Sequence, residues 1–313
     1  MATRTLDSSP SILPLYARAA APLIPGASLL PFLPGRGKNV PDLELTLAGV
    51  RADAERVAAY ARVCGFSLRD ELPPTYPHVL AFPLHMAVMA DGSFPFGAVG
   101  LVHIENRIVQ QRPIGVGEEL KLVVRPTSLQ PHKRGQTFSL ITEVWSADER
   151  AWESVSTMLR RHRTADGPKS RPEDDKSARR PEVGGLTPSA EWRLGGDLGR
   201  RYASVSGDRN PIHMHALTAK PLGFPGAIAH GMWTKARCLA ALEGRLPDAF
   251  AVEVRFRKPI RLPGKVEFLS DTGGDRIDFS VRDAKRHTPH LDGHVEPLDT
   301  TTTANKISGR ESR

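Results

Sequence analysis

The sequence predicts an α+β fold made of two tandem copies of one unit, each a helix followed by antiparallel strands. Three observations carry that prediction. Helical and strand-like patterning recurs in the same order in both halves. Three short stretches match in letters between the halves, again in order. A charged segment with almost nothing apolar, residues 164–188, lies between them and has too little hydrophobicity to hold a core.

Residues 1–41 are Pro-rich and aperiodic, and read as a leader strap packed over a domain surface. The N-terminal unit spans 42–163. Leu43 to Val50 alternates apolar and polar residues as a strand does, and Asp53 to Val63 carries Val57, Tyr60 and Ala61 at helical spacing. Pro73-Pro74 marks a loop before a short apolar helix at Phe82 to Met89. Strand patterns follow at Gly100–Ile108 and Glu119–Val124, then a hairpin pairs Phe138–Trp145 with Ala151–Leu159. After the 164–188 linker, the C-terminal unit spans 189–298. It has a helix at Leu198–Val205, an apolar helix at Gly231–Leu242, and strands at Ala251–Phe256, Val266–Ser270 and Ile277–Arg282. Residues 284–313 are polar and carry His287, His290 and His294, which are expected to do nothing specific; part of them reads as one last strand, and 299–313 as a disordered tail.

The letter matches place Tyr60-Ala-Arg-Val-Cys-Gly65 on Tyr202-Ala-Ser-Val-Ser-Gly207, and Arg112-Pro-Ile114 on Lys258-Pro-Ile260. A third places Tyr76-Pro-His-Val-Leu-Ala-Phe82-Pro83 on Phe224-Pro-Gly-Ala-Ile-Ala-His230-Gly231. On this alignment Asp208 faces Phe66, His213 faces Glu71 and His230 faces Phe82, so the first copy keeps the shape but lacks the polar groups. Such a copy is suited to housing an apolar ligand. Phe82, Leu84, Met86 and Met89 read as its core and as candidate lining of an acyl tunnel.

Composition narrows the function classes. With 40% hydrophobic and 25% charged residues the chain is an ordinary globular protein. Its net charge of +8 suits a polyanionic partner, but the basic residues form no stripe interleaved with aromatics and no nucleic-acid motif is present. The apolar stretch Ala19–Leu33 is broken by Pro22, Pro25 and Pro31, so it is neither a signal core nor a membrane span. Cys64 and Cys238 lie far apart with no metal-type spacing, as expected of a reduced cytoplasmic protein.

The chemistry concentrates in Tyr202-Ala-Ser-Val-Ser-Gly-Asp208-Arg-Asn210-Pro211-Ile-His213 and Ala229-His230-Gly231-Met232. Asp208 alone would read as a turn residue, and His213 alone as a structural histidine. Held five positions apart around an Asn-Pro step that cannot continue a helix, they form an acid/base couple. A metal set from Asp208, His213, His215 and His230 is the weaker reading, and Ser206 lacks the Gly-x-Ser-x-Gly setting of a nucleophile.

These residues, with Gly223-Phe-Pro-Gly-Ala-Ile-Ala-His-Gly-Met232, resemble the signature of R-specific enoyl-CoA hydratases (hydratase 2), the MaoC-like dehydratases. The resemblance is strong over about 190–282 and holds only in outline for the first half. It implies a double hot-dog fold, each unit a long helix wrapped by an antiparallel sheet. It also implies reversible addition of water to a trans-2-enoyl-CoA to give the (3R)-3-hydroxyacyl-CoA in fatty acid metabolism, by a lyase. By the same resemblance Asp208 and His213 hold the water and share the proton transfers, Asn210 and Ser206 position them, and Gly231 opens the apolar helix where a backbone N–H receives the thioester carbonyl. No metal and no cofactor are implied; the coenzyme A thioester, or an acyl-carrier-protein thioester, is the substrate. Arg255, Arg257 and Lys258 are candidates for its phosphates, against the plain reading of a solvated edge. The chain is expected to act as a monomeric double hot dog or a homodimer. An acyl-CoA thioesterase and a non-catalytic acyl-thioester-binding subunit are the rival readings.

Overall fold

The computed structural model describes residues 2–20, 37, 39–161, 185–271 and 273–298. The first half contains β1 (Ala2–Leu6), α1 (Ile12–Ala20), β2 (Leu43–Arg51), α2 (Ala54–Cys64), α3 (Tyr76–Met89), β3 (Val102–Gln110), β4 (Glu119–Pro126), β5 (Gln130–His132), β6 (Gly135–Ser146) and β7 (Glu149–Arg161). The second contains β8 (Thr187–Leu194), α4 (Leu198–Ser206), α5 (Pro211–Met214), α6 (Ala216–Ala219), α7 (Gly231–Ala241), β9 (Phe250–Phe256), β10 (Gly264–Ser270), β11 (Ile277–Asp283) and β12 (Pro289–Pro297).

All the strands join one sheet, in the order β1-β2-β4-β6-β7-β3-β9-β12-β11-β10-β8, with β5 attached to β6. Outward from the β3–β9 pair the order is β3-β7-β6-β4-β2 on one side and β9-β12-β11-β10-β8 on the other. These are equivalent strands of the two copies, so the repeat in the sequence is a repeat in topology. The seam is antiparallel, from Glu105 opposite Arg255 to Gln110 opposite Phe250. Strand β6 shows why these residues form a sheet: Phe138, Leu140, Thr142 and Val144 are buried, and the positions between them are only partly covered.

Helices α3 and α7 fill the core; the near-continuous hydrophobicity of α3 requires it, whereas α7 also buries Thr234 and Lys235. Tyr60 of α2 and Tyr202 of α4, matched in the repeat, face each other with ring centroids 6.0 Å apart. Trp233 of α7 donates its indole N–H to Val63 O at 3.0 Å, tying the second half to the first. Beneath it Lys235, fully buried, donates to Asn106 Oδ1 at 2.6 Å, Val252 O at 3.1 Å and Asn106 O at 3.3 Å. Burial pushes its ammonium below the ordinary lysine value, and three oxygen acceptors match its three N–H groups.

Several expectations are corrected. The strap is not aperiodic: residues 2–6 pair in parallel with β2, and residues 12–20 form α1, whose apolar face packs on the core. Most of the rest of the 1–41 segment, residues 21–36, lies outside the described residues. Helix α3 begins six residues before Phe82, because Pro77 sits in its first turn, where a missing N–H costs nothing, and the helix then absorbs Pro83. The linker residues 164–184 lie outside the described residues, and its last two, Thr187 and Pro188, open a strand, β8, that the polar sequence conceals. The final strand is β12, which carries His290 and His294; 299–313 lie outside the described residues.

The third letter match also fails. Leu72 N donates to Ile114 O and Ala229 N donates to Ile260 O, so Ala229 is equivalent to Leu72, not to Ala81. The first match holds, since Gly65 and Gly207 both end their helices with positive φ (85° and 77°). From Gly65 to Leu72 is seven positions and from Gly207 to Ala229 twenty-two, so the second copy is fifteen residues longer here. Those extra residues carry α5 and α6. The first copy lacks a segment and has not merely exchanged side chains.

Replacing Lys235 by Met leaves Asn106 Oδ1 buried without its ammonium donor. Urea unfolding should show a loss of about 2 kcal/mol; an unchanged midpoint would mean that this contact does not hold α7 to the seam.

Candidate functional site

The site is built at the end of α4. Gly207 turns the chain by its positive φ, and Asp208 N donates to Ser206 Oγ at 3.2 Å. Asn210 N donates to Asp208 Oδ1 at 3.1 Å, closing a turn of the kind Asp residues favour. Asn210 is extended (φ −53°, ψ 126°), as a residue before proline must be, and caps α5 with its side-chain oxygen 3.5 Å from Ile212 N. One helical turn then presents His213. Gly199 of α4 allows this approach, because a Cβ there would lie 1.9 Å from His213 O.

Two hydrogen bonds fix the imidazoles. His213 Nδ1 lies 2.8 Å from Ile228 O, and His230 Nε2 lies 3.0 Å from Asp208 O. A carbonyl oxygen can only accept, so His213 carries its proton on Nδ1 and offers a bare Nε2. His230 carries its proton on Nε2; its Nδ1 is buried without a partner. The two rings stack at 3.7 Å with 25° between their planes.

The remaining contact was not foreseen. Tyr16 of α1 donates its hydroxyl to Asp208 Oδ1 at 3.0 Å and accepts from Arg209 N at 2.7 Å. Its stretch reads as Pro-rich and aperiodic, and only the spacing of Ile12, Tyr16 and Ala19 betrays a helix face. Oδ1 thus accepts two hydrogen bonds, while Oδ2 lies 3.8 Å from His230 Nε2.

Burial by itself raises the Asp208 carboxyl. The imidazoles of His230 and His213 and the hydrogen bonds from Asn210 N and Tyr16 outweigh it, and the group lies below its ordinary value. Burial lowers His213, against the opposing pull of Asp208. Burial and the neighbouring His213 take His230 down to about 3. At neutral pH the site therefore holds one carboxylate and neutral imidazoles.

Ser206, Asp208, Asn210, His213 and Gly231 all line one cavity. Gly231 opens α7, whose first N–H groups have no partner within the helix. A Cβ at Gly231 would lie 3.1 Å from the Phe256 ring, so only glycine leaves this helix end uncrowded. The far wall is α3, which presents His78, Phe82, His85, Met86 and Met89; Leu84 points into the core instead. Sequence reasoning missed these histidines, whose burial lowers His78 to about 4 and, on β3, His103 to about 3.

Arg257 and Lys258 line the cavity, but Arg257 is held by Asp292 at 2.7 Å. Arg255 is not among the lining residues and pairs with Glu105 across the seam at 3.4 Å. Arg255 lies on the exposed face of β9 with Glu253, whereas Val254 and Phe256 face inward, which is why it falls short. Next to the cavity lies a basic depression lined by Arg161, Lys258, Arg261, Lys265, Lys285 and Arg286. His290, expected to be idle, lines both.

Asp208, His213 and His230 each bring a ligand-type atom within 4.8 Å of the others. Tetrahedral ligation needs lone pairs that converge on one point. Each lone pair lies in its own ring plane, and two planes stacked 3.7 Å apart at 25° do not meet close to both rings, which fits a metal ion poorly.

The family described as "MaoC like domain" matches residues 193–292. The chain is 38% identical to the Mycobacterium tuberculosis protein named 3-hydroxyacyl-thioester dehydratase X, over 93% of this chain and 100% of that protein. The crystal structure of HtdX from M. tuberculosis superposes with a TM-score of 0.71 at 36% identity, over 82% of this chain and 100% of that one. A further M. tuberculosis protein, described as having a double hot-dog fold, is 14% identical with a TM-score of 0.51, over 84% of this chain and 96% of that one. That likeness is one of fold, and it matches the paired arrangement of helix and sheet seen here.

An imidazole with a lower value in the folded than in the unfolded chain takes up its proton on unfolding. Stability therefore falls as pH drops from about 6.5 towards the folded value. His78 and His230 should each remove on the order of 2 kcal/mol between pH 7 and pH 5. Urea unfolding at the two pH values measures this, and His78→Phe should make the fall smaller; an equal fall in the variant would remove His78 from the account.

Proposed function

The chain belongs to the MaoC-like dehydratases, and on that premise we propose that it interconverts trans-2-enoyl-CoA and (3R)-3-hydroxyacyl-CoA in fatty acid metabolism. One observation carries the assignment of its reacting groups. Asp208 Oδ2 and His213 Nε2 are both acceptors, free of the contacts that hold their partner atoms, and share a cavity with the N-terminus of α7.

With Asp208 ionised and His213 neutral, a water between them donates one hydrogen to each, and its oxygen lone pair is left for C3. As the C3–O bond forms, one O–H bond breaks and its proton passes to the pair. The C2–C3 π electrons move towards the thioester, and the developing enolate oxygen meets the free N–H groups around Gly231, a helix end with favourable dipole. The pair then returns one proton to C2. Dehydration is the same sequence reversed, so protons balance without a cofactor. Asn210 and Ser206 hold the turn that carries Asp208.

The acyl chain runs along α3, where Phe82, Met86 and Met89 supply an apolar wall. The thioester head lies towards the basic depression, where Lys258 and Arg261 can meet phosphates of coenzyme A or of a carrier protein's pantetheine arm. Cys64 and Cys238 are free and buried, which supports a reducing, cytoplasmic setting, and no described helix is long and apolar enough to cross a membrane. With both copies joined in one sheet, a single chain suffices to form the site.

Hydration of crotonyl-CoA, followed by loss of the enoyl-thioester absorbance and chiral analysis of the product, tests the reaction. Asp208→Asn and His213→Gln should each lower kcat by at least about 1000-fold with the fold intact. Wild-type turnover in both variants would refute the assignment, and release of free thiol would point to a thioesterase instead. Lys258→Ala with Arg261→Ala should raise KM several-fold, less so at high salt, with kcat little changed. An unaltered KM would place the phosphates elsewhere.

A further inference from the structure

We propose that Tyr16, carried by the N-terminal helix α1, is a positioning residue that directs Asp208 to react through Oδ2. The inference rests on the reading of Asp208 as one of the two proton-transferring groups.

Helix α1 is fixed where it must be for this. Ala19 is fully buried in the core, and Ile12 lies against Gly207, its Cδ1 2.7 Å from where a Cβ on that glycine would stand. Ile12, Tyr16 and Ala19 are four and three residues apart, so they share one face of the helix. The face that grips the core thus also delivers the phenol to the turn that ends α4.

At that turn the phenol has two partners. It donates to Asp208 Oδ1 and accepts from Arg209 N, bridging the side chain of one residue and the backbone of the next. With Asn210 N also bonded to Oδ1, that oxygen has donors on both lone pairs, and the carboxylate cannot rotate without breaking both. Oδ2 is then the oxygen left to hold the water beside His213 Nε2. Tyr16 is itself kept protonated, first by burial and then by the charge of Asp208, so it remains a donor throughout the working pH range.

Asp208 faces Tyr16 of α1, His78 of α3, His103 of β3, Tyr202 of α4, His213 of α5 and His230 ahead of α7. The hydrogen bonds from Asn210 N and Tyr16 favour the ionised carboxylate alongside the imidazoles of His230 and His213. Removing the phenol hydroxyl takes one donor from the charged form and raises the pH at which the carboxyl is protonated. Activity that needs the carboxylate then begins to fall at a higher pH as the solution is acidified.

The test compares Tyr16→Phe in the full chain with wild type, Asp208→Asn and Leu13→Ala, using crotonyl-CoA hydration between pH 4.5 and 8.5. Leu13 lies on the same helix but is exposed, so its variant reports any general disturbance of α1. Tyr16→Phe should lower kcat roughly 10-fold with KM within about twofold, and move the acid limb of kcat/KM up by about one pH unit. Leu13→Ala should keep wild-type values, with thermal unfolding of all variants confirming intact folds. A Tyr16→Phe enzyme with wild-type kcat and an unmoved acid limb, beside an inactive Asp208→Asn, would overturn the role of Tyr16 alone. Full turnover in Asp208→Asn would instead overturn the reading on which it rests.

Discussion

The antiparallel pairing of β3 with β9 is the constraint on which the molecule depends. Each copy alone ends in an open strand edge, with unpaired N–H and C=O groups that would seek another chain. Joining edge to edge makes one sheet of two, and the buried ammonium of Lys235 fastens α7 to both sides of the join through Asn106 and Val252. The start of α7 is the place where Gly231 and His230 face the cavity. The seam therefore sets the position of the site as well as the stability of the sheet.

Within the site, carbonyl oxygens take the part often played by charged partners. Ile228 O and Asp208 O each accept from one imidazole, which settles which nitrogen is bare, while burial keeps the rings neutral. A carboxylate in their place would favour the charged imidazolium. Neutral rings around a single negative charge give two adjacent acceptors, the arrangement that suits gripping a water by its hydrogens.

Much of this is legible in the sequence, and the rest is hidden for identifiable reasons. Tyr202 to His213 announces its turn, because Gly207 permits the left-handed conformation that ends a helix and Pro211 restricts both itself and Asn210 before it. The strands of the hairpin from Phe138 to Leu159 announce themselves by alternation. Strand β8 does not, because it lies at the edge of the sheet and carries Ser189, Glu191 and Arg193 on an open face. Tyr16 is silent for another reason: its partners are 192 and 193 positions away, and nothing local marks a phenol that will find a carboxylate. The third letter match misled because Ala-Ile-Ala and Val-Leu-Ala are common apolar strings, whereas backbone pairing to Ile114 and Ile260 is a physical equivalence.

The fifteen additional residues between Gly207 and Ala229 bear on how such a molecule can change over time. A unit that had merely swapped its polar groups could recover them by a few codon changes. A unit that lacks the whole stretch cannot, since no exchange of side chains at 66–71 creates a helix to carry an imidazole. Duplication followed by unequal length is thus a one-way division. It leaves the first unit free of the constraint of positioning an acid/base turn, while the second remains bound to that geometry.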